Sequence, residues 1–157
     1  MRSIARWPIA VSVVGMFILM LRAHTDRDVA VAQSRKPVVV TRLYTGPDGQ
    51  THAEEIEVTL TGDRLNEVSE MFKVTGAEIH RAPAGKVNDW HNTPRRQYTI
   101  TLSGRGEVEV AGGIRIPEGP GSISLAEDMT GKGHITRVVG TEDRVYLQLP
   151  LADQSSR

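Results

Sequence analysis

Two of the five histidines stand where chemistry can be built. His91 lies beside Trp90 in a loop-like stretch, and His134 follows the Gly-rich segment Thr130-Gly131-Lys132-Gly133. Imidazole changes charge near neutrality, so such a pair can move a proton in an isomerisation or an elimination. Glu127 or Asp128 can orient the base, and Glu127 can also bind substrate, although Asp128 reads more readily as a carboxylate capping the Gly-rich loop. Gln97 can orient a ligand or a water. Arg95 and Arg96 can grip a carboxylate or phosphate. They are neighbours, and successive strand residues point to opposite faces, so at most one can reach a shared pocket. Trp90 either stacks on a ligand or closes a pocket mouth. His52, near Glu54 and Glu55, reads as a surface position close to a turn.

Other chemistries are excluded. The chain has no cysteine, which removes disulfides, thiol catalysis and Cys-type zinc sites. A phosphate loop would need Gly where Ala126 stands and Ser or Thr where Gly133 stands. Neither a Gly-x-Ser-x-Gly elbow nor a His-Glu-x-x-His helix is present. Nineteen basic residues balance nineteen acidic ones and aromatics make up only 4%, so neither a basic patch nor stacking platforms for nucleic acid are expected.

The elements that must carry these residues read as short strands. Pro37–Tyr44 is β-branched, and His52–Leu60 alternates, with Ile56, Val58 and Leu60 on one face. Leu65–Phe72 reads as a short helix or an irregular crossing. Val74–Ala82 is the next strand, followed by a loop from Gly85 that closes at Pro94. The strand Arg95–Ser103 places Gln97, Thr99 and Thr101 on one face and Tyr98, Ile100 and Leu102 on the other. If Gln97 faces inward, the interior is partly polar there and the apolar face needs cover. Val108 and Val110 alternate with Glu107 and Glu109 in a hairpin with one wet face. Pro117–Gly121 forms a corner. Ser122–Glu127, His134–Val139 and Arg144–Leu149 complete the strands, and Asp153–Arg157 is a polar tail. Nine or ten short strands with frequent turn signals predict an all-β sandwich or barrel.

The stretch Gly85 to Gly104, GKVNDWHNTPRRQYTITLSG, resembles the first motif of the cupin superfamily. Gly85, His91, Thr93, Gln97 and Gly104 stand at its spacing, and the family holds His, His and Glu where this chain has His91, Thr93 and Gln97. In the second motif, His134 stands two residues beyond the family position, which falls at Lys132, and Val138 occupies the Asn position. The segments RLYTGPDG with His52, DWH…PRRQ…LSG and AEDMTGKGH resemble a group of small bacterial cupins. The resemblance implies a single jelly-roll barrel and no particular reaction. It also implies a metal, for which iron, manganese, zinc and nickel all accept imidazole. His91 and His134 would be ligands, His80 a third, and Gln97 a weak one through its carbonyl oxygen. Because cupins often pair through a sheet face, a homodimer is a further expectation.

At the N-terminus, Arg2 and Arg6 precede the uncharged run Trp7–Leu21, and Ala30-Val31-Ala32 offers a cleavage site. The run is shorter than a bilayer span. Residues 1–32 are therefore expected to be a signal segment, or an anchor if uncleaved, and residues 33–157 the cupin domain. The protein is expected in the periplasm or outside the cell. The expected function is a small-molecule enzyme of oxygenase, isomerase or lyase type, using a histidine-lined pocket. The alternative is a non-catalytic module that captures a small ligand in a metal-free pocket.

Overall fold

A computed structural model of the chain describes residues 36–63 and 65–155. The chain divides into Met1–Pro37 and Val38–Arg157, and every described strand lies in the second unit. The expected signal segment falls outside the described residues.

Among the described residues, twelve strands run in order: β1 Val39–Thr45, β2 Thr51–Glu57, β3 Thr61–Gly62, β4 Glu67–Val68, β5 Glu78–Ala82, β6 Val87–His91, β7 Gln97–Ser103, β8 Gly106–Glu109, β9 Arg115–Glu118, β10 Ile123–Ala126, β11 His134–Val138 and β12 Arg144–Pro150. They form a six-stranded sheet ordered β2-β1-β10-β7-β12-β5, a four-stranded sheet ordered β6-β11-β8-β9, and the small ribbon β3-β4. Pairing is antiparallel except between β1 and β10, which run parallel, with Arg42 opposite Leu125. This is the all-β, two-sheet architecture expected of a jelly roll.

The alternation of β7 settles its orientation. Gln97 and Thr101 are buried while Leu102 is exposed, so the polar parity faces inward. Across the sheet, Thr99 lies opposite Ser124 on β10 and Gln148 on β12. Among the described residues, buried polar and charged side chains outnumber buried apolar ones, eleven to eight, so hydrogen bonding organises the interior as much as apolar contact does. The apolar core is small: Leu43, Val108 and Val110, with Ala53 and Ile116 packed against them.

The other parity of β7 makes an apolar outer face, where Ile100 pairs with both Leu147 and Ile123. Part of this face is covered from within the chain, because the ring of Phe72 stacks on Tyr98 at 4.5 Å and Val74 bridges to Leu151. The segment expected as a helix or irregular crossing, Leu65–Phe72, holds only the two-residue strand β4 and no helix. Leu65 and Met71 are almost fully exposed and Val68 is exposed as well, so no neighbouring element packs a helix there. The loop expected after Gly85 contains strand β6. The tail after Pro150 is tied down over Asp153–Ser155, where Gln154 accepts from Arg96 N and donates to the carbonyls of Arg96 and Leu151.

Candidate functional site

The inner faces of both sheets enclose a cavity of about 130 Å³. Its lining includes His91, His134, Gln97, Glu118, Arg144 and Tyr146. Room of this size suits a few waters or one small organic molecule.

At one end, His91 on β6 lies directly opposite His134 on β11. Gly133 makes this approach workable. It adopts φ +76°, and a Cβ there would run into the backbone carbonyl of His91. The two rings meet at 4.5 Å between centroids, inclined by 55°. Nδ1 of His91 donates to the Asp89 carbonyl at 2.7 Å. Nδ1 of His134 donates to Oδ2 of Asp128 at 2.6 Å. Because a carbonyl and a carboxylate only accept, both Nδ1 atoms carry a proton, and Nε2 is the nitrogen left to a ligand in each ring.

Asp128 is fully buried. Besides His134 it accepts from Thr93 Oγ1 at 2.6 Å and Thr51 Oγ1 at 3.0 Å. It therefore orients an imidazole rather than capping the Gly-rich loop. The loop is strapped by other groups: Asn92 Nδ2 donates to the Thr130 carbonyl at 2.7 Å, and Lys132 N donates to the Gly49 carbonyl.

The cavity also holds a buried ion pair that sequence reading did not single out. Arg144 Nη2 sits 2.7 Å from Glu118 Oε2, and each residue is 3–4% exposed. Ser124 Oγ donates to the other Glu118 oxygen, while Arg144 Nε and Nη2 donate to Thr101 Oγ1. Gly106 leaves space for the guanidinium, since a Cβ there would lie 2.8 Å from Nη1. The sequence carried one signal of this arrangement. Arg144, Tyr146 and Gln148 share a parity opposite to Val145, Leu147 and Leu149, which marks a polar inward face like that of β7.

The remaining candidate residues separate. Gln97 lines the cavity, but its Oε1 accepts from Arg95 Nε at 3.2 Å. Arg95 Nη2 also meets Glu78 Oε2 at 2.7 Å, and His80 Nε2 contacts the same oxygen at 3.2 Å. The bond with His80, then the charge of Arg95, hold the Glu78 carboxyl below its ordinary range. His80 stacks on Tyr146 at 5.1 Å and is not among the cavity-lining residues. Arg96 and Glu127, expected to bind substrate, instead bind each other on the outer side of the sheet. Arg96 donates to Glu127 Oε1 through both Nε and Nη2, and Arg42 Nε donates to the second oxygen at 2.7 Å. The physical reason is parity: Arg96 neighbours Gln97, and Glu127 neighbours Ala126, so both point away from the cavity those residues line. Trp90 is not part of the lining either; the Lys132 ammonium sits 3.8 Å from its ring centroid. His52 bonds to Asp48 at the surface, as expected.

A metal of the kind the family resemblance implies needs about three firm protein ligands. Here two imidazoles are available. The carbonyl oxygen of Gln97 is engaged by Arg95, and the hydroxyl at Thr93 is given to Asp128. Among the described residues, no three His, Asp or Glu side chains are grouped to hold a metal ion. The donor set does not fit.

No family model and no curated protein matches this sequence. Solved structures similar to it include an RmlC-like cupin protein from Desulfovibrio desulfuricans, 22% identical, with 51% of this chain and 80% of that chain covered and a TM-score of 0.36. A cupin domain from Bordetella pertussis is 12% identical over 76% of this chain and 98% of that one, with a TM-score of 0.40. The cupin domain of Schizosaccharomyces pombe Cnp3 is 16% identical over 74% and 89%, also at 0.40. The all-β, two-sheet fold is carried by the strand order and register of the chain itself.

Proposed function

We propose that this chain is exported and is a small-molecule enzyme that moves a proton on a ligand held in the cavity without a metal. The observation that supports it is the Asp128–His134–His91 constellation, in which a buried carboxylate fixes the tautomer of a cavity imidazole. His134 Nε2 would take a proton from carbon beside a carbonyl. The C–H pair shifts to the carbonyl oxygen as an enolate, and the imidazolium formed faces Asp128 across the 2.6 Å bond. For a ligand with a hydroxyl on that carbon, the hydroxyl proton passes to the enolate oxygen and the imidazolium returns its proton to the former carbonyl carbon. The hydroxyl-bearing carbon becomes the new carbonyl, and the isomerisation is complete. Asp128 orients the ring and offsets its charge, in the manner of a base–orienter pair.

The test is incorporation of solvent deuterium into small carbonyl compounds in D₂O, followed by NMR. Wild type should exchange C–H protons, and His134→Ala should not while still binding the ligand. Binding that survives with no exchange in the wild type would instead favour ligand capture alone.

A further inference from the structure

We infer that the cavity selects an uncharged hydroxy-carbonyl compound, with Arg95 setting the polarity of Gln97 that makes the selection. The inference rests on the proposed proton-transfer site and names its ligand class.

The starting point is the Gln97 amide. An arginine has donors only, so the atom that receives Arg95 Nε must be the carbonyl oxygen of Gln97. The NH₂ group is then the end of Gln97 left for the cavity that it lines, and it is a donor. Opposite in character are His91 and His134, whose engaged Nδ1 atoms leave Nε2 lone pairs as acceptors. A ligand that suits all three offers a hydroxyl to His91, a carbonyl oxygen to the Gln97 amide and the C–H beside that carbonyl to His134 as the base.

Charge decides the rest. The cavity guanidinium of Arg144 is already matched by Glu118, and both carboxylate oxygens of Glu118 are occupied. Arg95 is matched by Glu78, and any proton gained by His134 is offset by Asp128. Among the described residues, no cationic group of the lining is left over to meet a carboxylate or phosphate, and burying an unmatched anion is costly. The volume of about 130 Å³ limits the ligand to a small molecule.

The experiment uses the full chain, labelled with ¹⁵N, and four probes of similar size: hydroxyacetone, lactate, propane-1,2-diol and acetone. Hydroxyacetone should shift the Gln97 side-chain amide and the ring nitrogens of His91 and His134, and should bind at least about tenfold more tightly than lactate, whose charge finds no partner. The diol and acetone, each lacking one group, should also bind more weakly. Arg95→Ala, at a half-exposed position, should keep the fold, alter the Gln97 amide resonance in the free protein and remove most of the hydroxyacetone preference. Equal or tighter binding of lactate overturns the inference. So does the absence of any cavity shift with hydroxyacetone, or an unchanged preference in Arg95→Ala. Hydroxyacetone that binds as described but exchanges no proton with D₂O leaves the ligand class standing and sinks only the proton-transfer reading.

Discussion

His134 and Asp128 are bonded at 2.6 Å with the carboxylate fully buried, and Thr51 and Thr93 complete its shell. The two are six positions apart along the chain, yet the intervening turn is held by Asn92 and by the Gly49 carbonyl, not by the Asp128 carboxylate. The carboxylate is thus kept for the imidazole. Asp128→Asn should keep the fold but cannot accept from His134 Nδ1–H in the same way, and deuterium exchange should slow roughly 10³-fold or more. Asp128→Ala strands three buried donors and should cost about 2–4 kcal/mol in urea unfolding. A full rate in Asp128→Asn would remove Asp128 from the mechanism.

Arg144 and Glu118 should behave as a unit. Breaking the pair with Arg144→Met or Glu118→Gln alone leaves a buried charge and should destabilise the domain by about 3–5 kcal/mol. The double variant should cost much less than the sum, which a double-mutant cycle by denaturant unfolding reads directly. Gly106→Ala pushes on the same guanidinium and should cost about 1–3 kcal/mol. Its penalty should shrink in the Arg144→Met background, and additive penalties would contradict the contact.

The Arg96–Glu127–Arg42 cluster lies outside the cavity, so it should govern stability and not ligand binding. Arg96→Ala leaves Glu127 buried with Arg42 as its other guanidinium partner, and a loss of about 2–4 kcal/mol is expected. The hydroxyacetone titration should be unchanged at a temperature where the variant is folded. A weakened titration would return Arg96 to the site.

Glu78 provides a pH handle beside Arg95. Its folded carboxyl is held below the ordinary range by His80 and then Arg95. A depressed carboxylate contributes stability that is present above its unfolded pKa and is lost as pH falls through the folded value. A carboxyl-carbon NMR titration should therefore give Glu78 a midpoint below that of a free glutamate. Both His80→Ala and Arg95→Ala should move it back upward, and a midpoint that ignores both changes would contradict the network.

Metal content separates the two readings of the histidine pair. Untagged protein purified without chelator should carry far less than one equivalent of iron, manganese, zinc or nickel by mass spectrometry. Near-stoichiometric metal that vanishes in the His91→Ala, His134→Ala double variant would show that two imidazoles suffice after all.

Much of the fold was legible because period-two alternation survives in short strands. The faces of β7 could be read in this way, and so could the polar parity of Glu107 and Glu109, although these carboxylates are half-buried against Arg115 and Arg137 and not open to water. The stretch Val87–His91 was not, because its Asn, Asp and flanking Gly and Pro are turn formers, and its pairing with β11 is a long-range fact. In the site, His91 and Gln97 were marked by the resemblance to the cupin motif, while His134 stood two residues off its frame, and all three line the cavity. Arg96 and Glu127 misled because local chemistry says nothing about which side of a sheet a residue takes. Glu118 was hidden inside a Pro- and Gly-rich corner, and its partner Arg144 is 26 positions away. Only packing brings those two together.

The parallel seam between β1 and β10 sets the order in which the sheet can be assembled. β1 and β2 can form a hairpin at once, and so can β8 and β9. β1 has no neighbour on its other edge until Ile123–Ala126 exists, and β5 has none until Arg144–Pro150. Contacts so distant in sequence form slowly, since each must first close a long loop. The six-stranded sheet therefore cannot close until nearly the last residue of the domain has been made.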